Sequence, residues 1–254
     1  MRKIAIINQK GGSGKTTTSV NLAGALAECG RKVLLIDLDP QASTTGWFGC
    51  LTDGQSLYEL FTQNVSIYDI VVNTAIANIS IIPSSTWLIG IEKRLAQEVG
   101  AETILKQKLK ELKSGDWDYV LIDCPPTLGL LTINALSAAD ELIVPVEARV
   151  MALNGLVQLL GTIDVIKERL NHNLKISGIL PCRVDSRTNH AKEVVRELRD
   201  NFKGLVYKTA IRENIRLAEA PSFMKPITMY DTHCSGSSDY RLLAQEVIKQ
   251  EQIA

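Results

Sequence analysis

The chain lacks a net charge, a cysteine framework and any long apolar run, and each absence removes a class of function. Its 28 Lys and Arg balance 28 Asp and Glu over 254 residues. That excludes a whole-molecule basic coat for nucleic acid or an acidic one for cations, so a charged partner must meet a local patch. Five cysteines (Cys29, Cys50, Cys124, Cys182 and Cys234) are odd in number, widely spread and form no C-x-x-C. They indicate neither a disulfide framework nor a zinc site, and read as reduced thiols in a cytoplasm. No uncharged apolar run approaches the roughly 18 residues of a membrane span. The run Ile4-Ala5-Ile6-Ile7 meets Asn8-Gln9-Lys10 after four residues, too soon for the apolar region of a secretion signal, and reads as a strand. With 45% hydrophobic and 22% charged residues, disorder, collagen and coiled coil also drop out.

What is present is an alternation of short β-branched runs with helical patterns, the signature of βα units around a mostly parallel sheet flanked by helices. Residues 1–254 read as a single domain. Strands are expected at Lys3 to Asn8, Lys32 to Ile36, Ile79 to Pro83, Tyr119 to Ile122, Glu141 to Val146, Ile176 to Pro181 and Leu205 to Ile211. A helix from Lys15 to Cys29 ends on Gly30. A second starts at Leu153 with Leu156, Leu160 and Ile163 inward, and a third buries Ala191, Val194, Val195 and Leu198. The aperiodic stretch Thr44 to Asn78 is expected to hold short helices over the sheet edge.

Directly after the first strand, Lys10-Gly11-Gly12-Ser13-Gly14-Lys15-Thr16-Thr17 opens a helix. Closely spaced glycines let backbone N–H groups converge on phosphate oxygens at the positive end of a helix dipole. Lys15 then reaches the β and γ phosphates and the Thr16 hydroxyl ligates Mg²⁺. The strict P-loop has a glycine where Gln9 stands, so this is the deviant form K-G-G-x-G-K-T-T. Asp37-Leu38-Asp39-Pro40-Gln41 and Asp123-Cys124-Pro125-Pro126 each follow an apolar strand. In an open α/β sheet both strand ends meet the phosphate loop in one crevice, where a carboxylate holds Mg²⁺. No N-K-x-D guanine signature occurs, which favours ATP over GTP.

Together with Arg216-Leu217-Ala218-Glu219-Ala220-Pro221-Ser222, Leu128 to Leu136 and Asp185-Ser186-Arg187-Thr188-Asn189, these motifs resemble the ParA/Soj chromosome and plasmid partitioning ATPases over essentially the whole chain. The early first motif resembles the short, chromosomal type. The resemblance implies a P-loop NTPase fold and an ATP-bound sandwich homodimer in which Lys10 reaches the partner's phosphates. It implies that Asp39 positions the attacking water, that Asp37 and Asp123 lie around Mg²⁺, and that a ParB-like protein stimulates slow turnover. It also places Asn214 against the adenine, while Arg212 stands where the family has Pro and Glu213 where it has Arg. Arg183 belongs to the neighbouring strand end, where it borders the base or simply packs.

From Arg183 to Arg216 there are nine Lys or Arg and five Asp or Glu. Lys192, Arg196, Arg199 and Lys203 share a helix stripe, which alone reads rather as a solvated face with Glu193, Glu197 and Asp200 as ion-pair partners. Arg187 and Arg216 match family arginines that bind DNA without sequence preference, implying a nucleoid-associated protein. Rival readings remain. A MinD-like membrane-cycling ATPase needs a basic amphipathic C-terminal helix, whereas the tail from Asp239 buries Tyr240, Leu243, Val247 and Ile248 and looks like a docking helix. A cluster carrier needs a cysteine pair, and Cys124 reads as buried packing. A nucleotide-binding scaffold without hydrolysis sits poorly with Lys15 and Asp39.

Overall fold

The computed structural model describes residues 1–50, 56–149 and 152–252. Seven strands form one sheet: β1 (Arg2–Ile6), β2 (Val33–Asp37), β3 (Val72–Asn73), β4 (Ile79–Ile82), β5 (Tyr119–Asp123), β6 (Glu141–Glu147) and β7 (Lys175–Cys182). Their order is β3-β4-β2-β5-β1-β6-β7, and every pairing is parallel except β3 with β4.

The strands are near-continuous apolar runs because both faces are covered. Side chains alternate between two cores: Ala5, Ile7, Leu34, Ile36, Val120 and Ile122 enter one, and Ile4, Ile6, Val33, Leu35, Tyr119 and Leu121 the other. The helices are α1 (Lys15–Glu28), α2 (Ser43–Trp47), α3 (Leu57–Thr62), α4 (Ile91–Arg94), α5 (Ile104–Lys108) and α6 (Leu130–Ala138). They continue with α7 (Ala152–Arg169), α8 (Asn189–Asn201), α9 (Ile215–Glu219), α10 (Ile227–Tyr230) and α11 (Ser235–Lys249). On one face α1 packs against α10 and α11. There a Cβ on Gly24 would come within 2.5 Å of Pro226, so only glycine allows that approach. α11 buries Tyr240, Leu243, Ala244 and Val247 and leaves Ile248 half-buried, so it is a docking helix as its pattern predicts.

Two expectations need correction. Leu205 to Ile211 is not a strand. Single bridges join Ile179 to Val206 and Val184 to Arg212, but the N–H groups of Lys208 and Thr209 donate to the Glu246 carboxylate of α11 at 3.0 and 2.7 Å. With those donors committed elsewhere, the hydrogen bonds to β7 from Tyr207 and Ile211 do not join into a continuous ladder. In α7 the inward stripe is Leu156, Leu159, Ile163 and Ile166, with Leu160 only partly buried; the Leu153 side chain lies outside the described residues. The stretch from Thr44 does hold short helices, α2 and α3 with a 3₁₀ turn at Ile67–Ile70, and adds the edge strand β3.

Candidate functional site

Gly12 and Gly14 have φ of +73° and +96°, left-handed values that disfavour any side chain and turn the chain from β1 into α1. α1 starts with no side-chain cap and no acidic residue in its first turn, so its first N–H groups and dipole stay open to an anion. Ser13 Oγ is fully buried without a hydrogen-bond partner among the described residues. Lys15 is buried, and burial lowers its pKa against the opposing pull of Asp123 and Asp39.

Asp37 and Asp123 are register partners on β2 and β5 and both are fully buried. Asp37 accepts from the Thr45 N–H and hydroxyl, both at 2.7 Å. Asp123 accepts from Ser19 at 3.0 Å and Thr44 at 2.6 Å. Burial, then the neighbouring Asp123, pushes the Asp37 carboxyl up to about 7. Burial likewise raises Asp123. Two paired carboxylates short of positive charge, with the Thr16 hydroxyl in the adjacent turn, suit a divalent cation. Asp39 lies just past β2, half-buried, with its N–H on Asp37 at 3.3 Å and its Oδ1 accepting from Gln41 N–H at 2.9 Å.

One cavity of about 730 Å³ joins these parts: Gly11, Gly12, Gly14, Lys15, Thr16, Thr17 and Asp39 line it with Arg183, Arg212 and Asn214. The phosphate-loop and base-wall residues singled out in the sequence therefore meet around one space. Asn214 caps α9, accepting from Arg216 N–H at 2.8 Å and donating to Ser235 at 2.8 Å. Arg212 is tied to Asp239 through Nε and Nη2, the shorter bond 2.6 Å. Cys182 is buried at the cavity wall and burial pushes its thiol up to about 12, so it is inert packing. Cys124 is fully buried too.

Lys10 and Arg183 share a partner that the sequence reading passed over. Glu147, the last residue of β6, takes Lys10 on one oxygen at 2.8 Å and Arg149 and Arg183 on the other at 2.9 and 3.2 Å. A carboxylate directly after an apolar strand is the signal that found Asp37 and Asp123, and Glu147 follows the expected strand Glu141 to Val146 in the same way, so the signal was present in the sequence. Asp239 carried no comparable signal, because only the tertiary fold brings α11 to Arg212.

Outside the cavity, Arg187 lines a surface groove with Arg212, Asn214 and Ile215, and Arg216 follows in α9. Both arginines are engaged: Arg187 with Asp185 at 2.8 Å, Arg216 with Glu219 at 2.8 Å and Asp231 at 3.5 Å. Lys192, Arg196 and Arg199 are exposed on α8, whereas Lys203 lies beyond its end. Among the described residues no helix is long and apolar enough to cross a membrane.

A parallel sheet with a deviant phosphate loop, buried Lys15 and two strand-end carboxylates defines a P-loop nucleotide hydrolase. Residues 1–176 match the family described as an AAA domain. The chain is 45% identical over 246 residues to sporulation initiation inhibitor protein Soj of Bacillus subtilis, covering 96% of this chain and 97% of that one. It is 42% identical over 254 residues to chromosome partitioning protein ParA of Caulobacter vibrioides, covering 99% and 95%. Among solved structures, cobyrinic acid a,c-diamide synthase from Mycobacterium smegmatis with bound ADP and magnesium superposes with a TM-score of 0.87 at 35% identity, covering 99% and 96%. An McdA–ATP complex from Cyanothece superposes with a TM-score of 0.89 at 27% identity, covering 98% and 96%. This chain belongs to the ParA/Soj family of chromosome-partitioning ATPases.

Proposed function

We propose that residues 1–254 act as one partitioning ATPase unit, moving chromosomal or plasmid DNA by a cycle of ATP binding and hydrolysis in the cytoplasm, on the nucleoid. The observation that carries this reading is the uncapped N-terminus of α1 with buried Lys15 in the field of Asp123 and Asp39. The N–H groups of the loop hold the α and β phosphates, and Lys15, stripped of water, meets the β and γ phosphates with its charge little screened. Thr16, Asp37 and Asp123 would hold Mg²⁺, which would supply charge neutralisation for the phosphates. Asp39, oriented by its turn, aligns the attacking water. Because the phosphoryl transition state is loose, such positioning does most of the catalysis. The base lies toward the wall containing Arg183, Arg212 and Asn214.

In this cycle ATP closes a homodimer, Lys10 leaves Glu147 for the partner's phosphates, and the doubled Arg187 and Arg216 patch binds DNA through its phosphates. A ParB-like protein accelerates hydrolysis and resets the monomer. The apolar face of α11 is buried in the core it shares with α1, which favours DNA over a membrane as the surface visited. DNA binding measured with ATP, with ADP and without nucleotide, alongside phosphate release, tests the proposal. ATP-only DNA binding with slow phosphate release is expected; equal binding in all three states, or no phosphate release, overturns it.

A further inference from the structure

β4 carries a residue to the catalytic turn that no sequence motif announces. It pairs in parallel with β2, with Ile82 opposite Ile36, so Pro83 and Ser84 leave the sheet beside the turn that starts at Asp37. Ser84 is buried, and both of its donors are committed. Its N–H donates to Thr45 Oγ1 at 2.9 Å, and its hydroxyl donates to the Asp39 carbonyl at 2.6 Å. Thr45 Oγ1 in turn donates to Asp37 Oδ2 at 2.7 Å.

Asp39 needs such a partner because it belongs to neither β2 nor α2. The chain is still on the sheet at Leu38, whose N–H donates to the Asp123 carbonyl at 2.9 Å. Beyond it the bonds of Asp39 are local: its N–H donates to Asp37 at 3.3 Å, its Oδ1 accepts from Gln41 N–H at 2.9 Å, and its carbonyl accepts from Ala42 N–H at 2.9 Å. Those three bonds set the shape of the turn but not its place against the sheet. Among the described residues, Ser84 supplies the one hydrogen bond that reaches Asp39 from outside the turn. With N–H and carbonyl both held, the direction in which the side chain leaves the backbone is set, and the bond from Gln41 fixes its rotation.

We propose that Ser84 is a positioning residue for hydrolysis: its hydroxyl fixes the Asp39 peptide against the end of β4 and so holds the Asp39 carboxylate where it aligns the attacking water. This rests on the proposed role of Asp39 and adds the group that sets its orientation. Ser84 acts through a backbone carbonyl and is absent from the lining of the nucleotide cavity, so its effect falls on the chemical step and not on nucleotide affinity. Replacement by alanine is a clean probe, because the Ser84 N–H keeps its bond to Thr45 and only the bond to Asp39 is lost.

Single-turnover phosphate release and equilibrium ATP binding, measured on the full chain for Ser84→Ala, Ser84→Thr, Asp39→Ala and the double variant, test the assignment. Ser84→Ala should release phosphate about three- to tenfold more slowly, the size of one net hydrogen bond, while ATP affinity stays within about twofold of native. Ser84→Thr keeps the hydroxyl and should release phosphate faster than Ser84→Ala. The double variant should be no slower than Asp39→Ala, since no carboxylate is left to orient. Native release from Ser84→Ala, or the same loss in the Asp39→Ala background as in the native one, would overturn the positioning role. So would a loss of ATP affinity that matches the loss of rate, or a Ser84→Thr protein as slow as Ser84→Ala. Failure of the underlying reading gives a different result: undiminished release from Asp39→Ala itself.

Discussion

Lys10 Nζ lies 2.8 Å from Glu147 Oε2, a contact that joins the phosphate loop to the end of β6. Glu147 is only 5% exposed and carries Arg149 and Arg183 on its other oxygen. Three cations thus converge on one carboxylate, and one of them, Arg183, lines the cavity. They outweigh the cost of its burial and lower its pKa.

This contact competes with the proposed cross-subunit role of Lys10. In a background that does not hydrolyse ATP, Glu147→Gln should shift ATP-dependent dimerisation to about three- to tenfold lower protein concentration, the size expected for one half-exposed charge-assisted bond. Lys10→Ala should bind ATP yet stay monomeric, and the double variant should match it. Light scattering over a concentration series decides the point; a Lys10→Ala protein that dimerises on ATP removes the cross-subunit role.

Asp39→Ala should bind ATP with near-native affinity and release phosphate at least about 10²-fold more slowly, because water positioning is lost while the phosphate contacts remain. Single-turnover phosphate release together with equilibrium nucleotide binding checks this. Undiminished turnover would reject Asp39.

The Arg216 ion pairs with Glu219 and Asp231 must yield to DNA phosphate. All are exposed enough that their loss costs little stability. Arg216→Ala should weaken binding uniformly across unrelated duplexes and reduce the slope of log affinity against log salt by about one to two per dimer. Glu219→Gln should do the opposite and tighten binding severalfold. Titrations with random-sequence duplexes over a salt series read both effects, and a strong sequence preference would contradict phosphate-only contacts.

Without nucleotide or metal, the Asp37 and Asp123 pair makes stability depend on pH. The Asp37 carboxyl titrates at about 7 when folded and near 3.9 when unfolded, so the folded state binds the extra proton between these values. Its contribution is fully present below about pH 4 and is lost as pH rises through 7. Between pH 5.5 and 8 the melting temperature should therefore fall, and Asp37→Asn should flatten that dependence. A native profile as flat as that of the variant would show that the pair is already compensated.

Much of this molecule follows from chain-local chemistry. Alternation of apolar strands with periodic helices is enough for the class of sheet, since parallel strands need helical crossovers on both faces. Glycines at 12 and 14, a lysine at 15 and carboxylates closing β2 and β5 announce the phosphate site, because that chemistry requires those residues at strand ends. Other features depend on contacts between distant segments, which no local pattern encodes. Glu246 of α11 takes the N–H groups of Lys208 and Thr209, so an apolar run with strand spacing meets β7 only at isolated bridges. Glu147 becomes the partner of Lys10 only because β6 pairs beside β1. Asp239, in a helix with no chemical motif of its own, becomes the anchor of Arg212 only when α11 packs on α1. The sequence by itself determined the sheet and the phosphate loop; the tertiary structure decided which side chains are engaged and which stay free, because a hydrogen bond or ion pair is set by proximity in space and not along the chain.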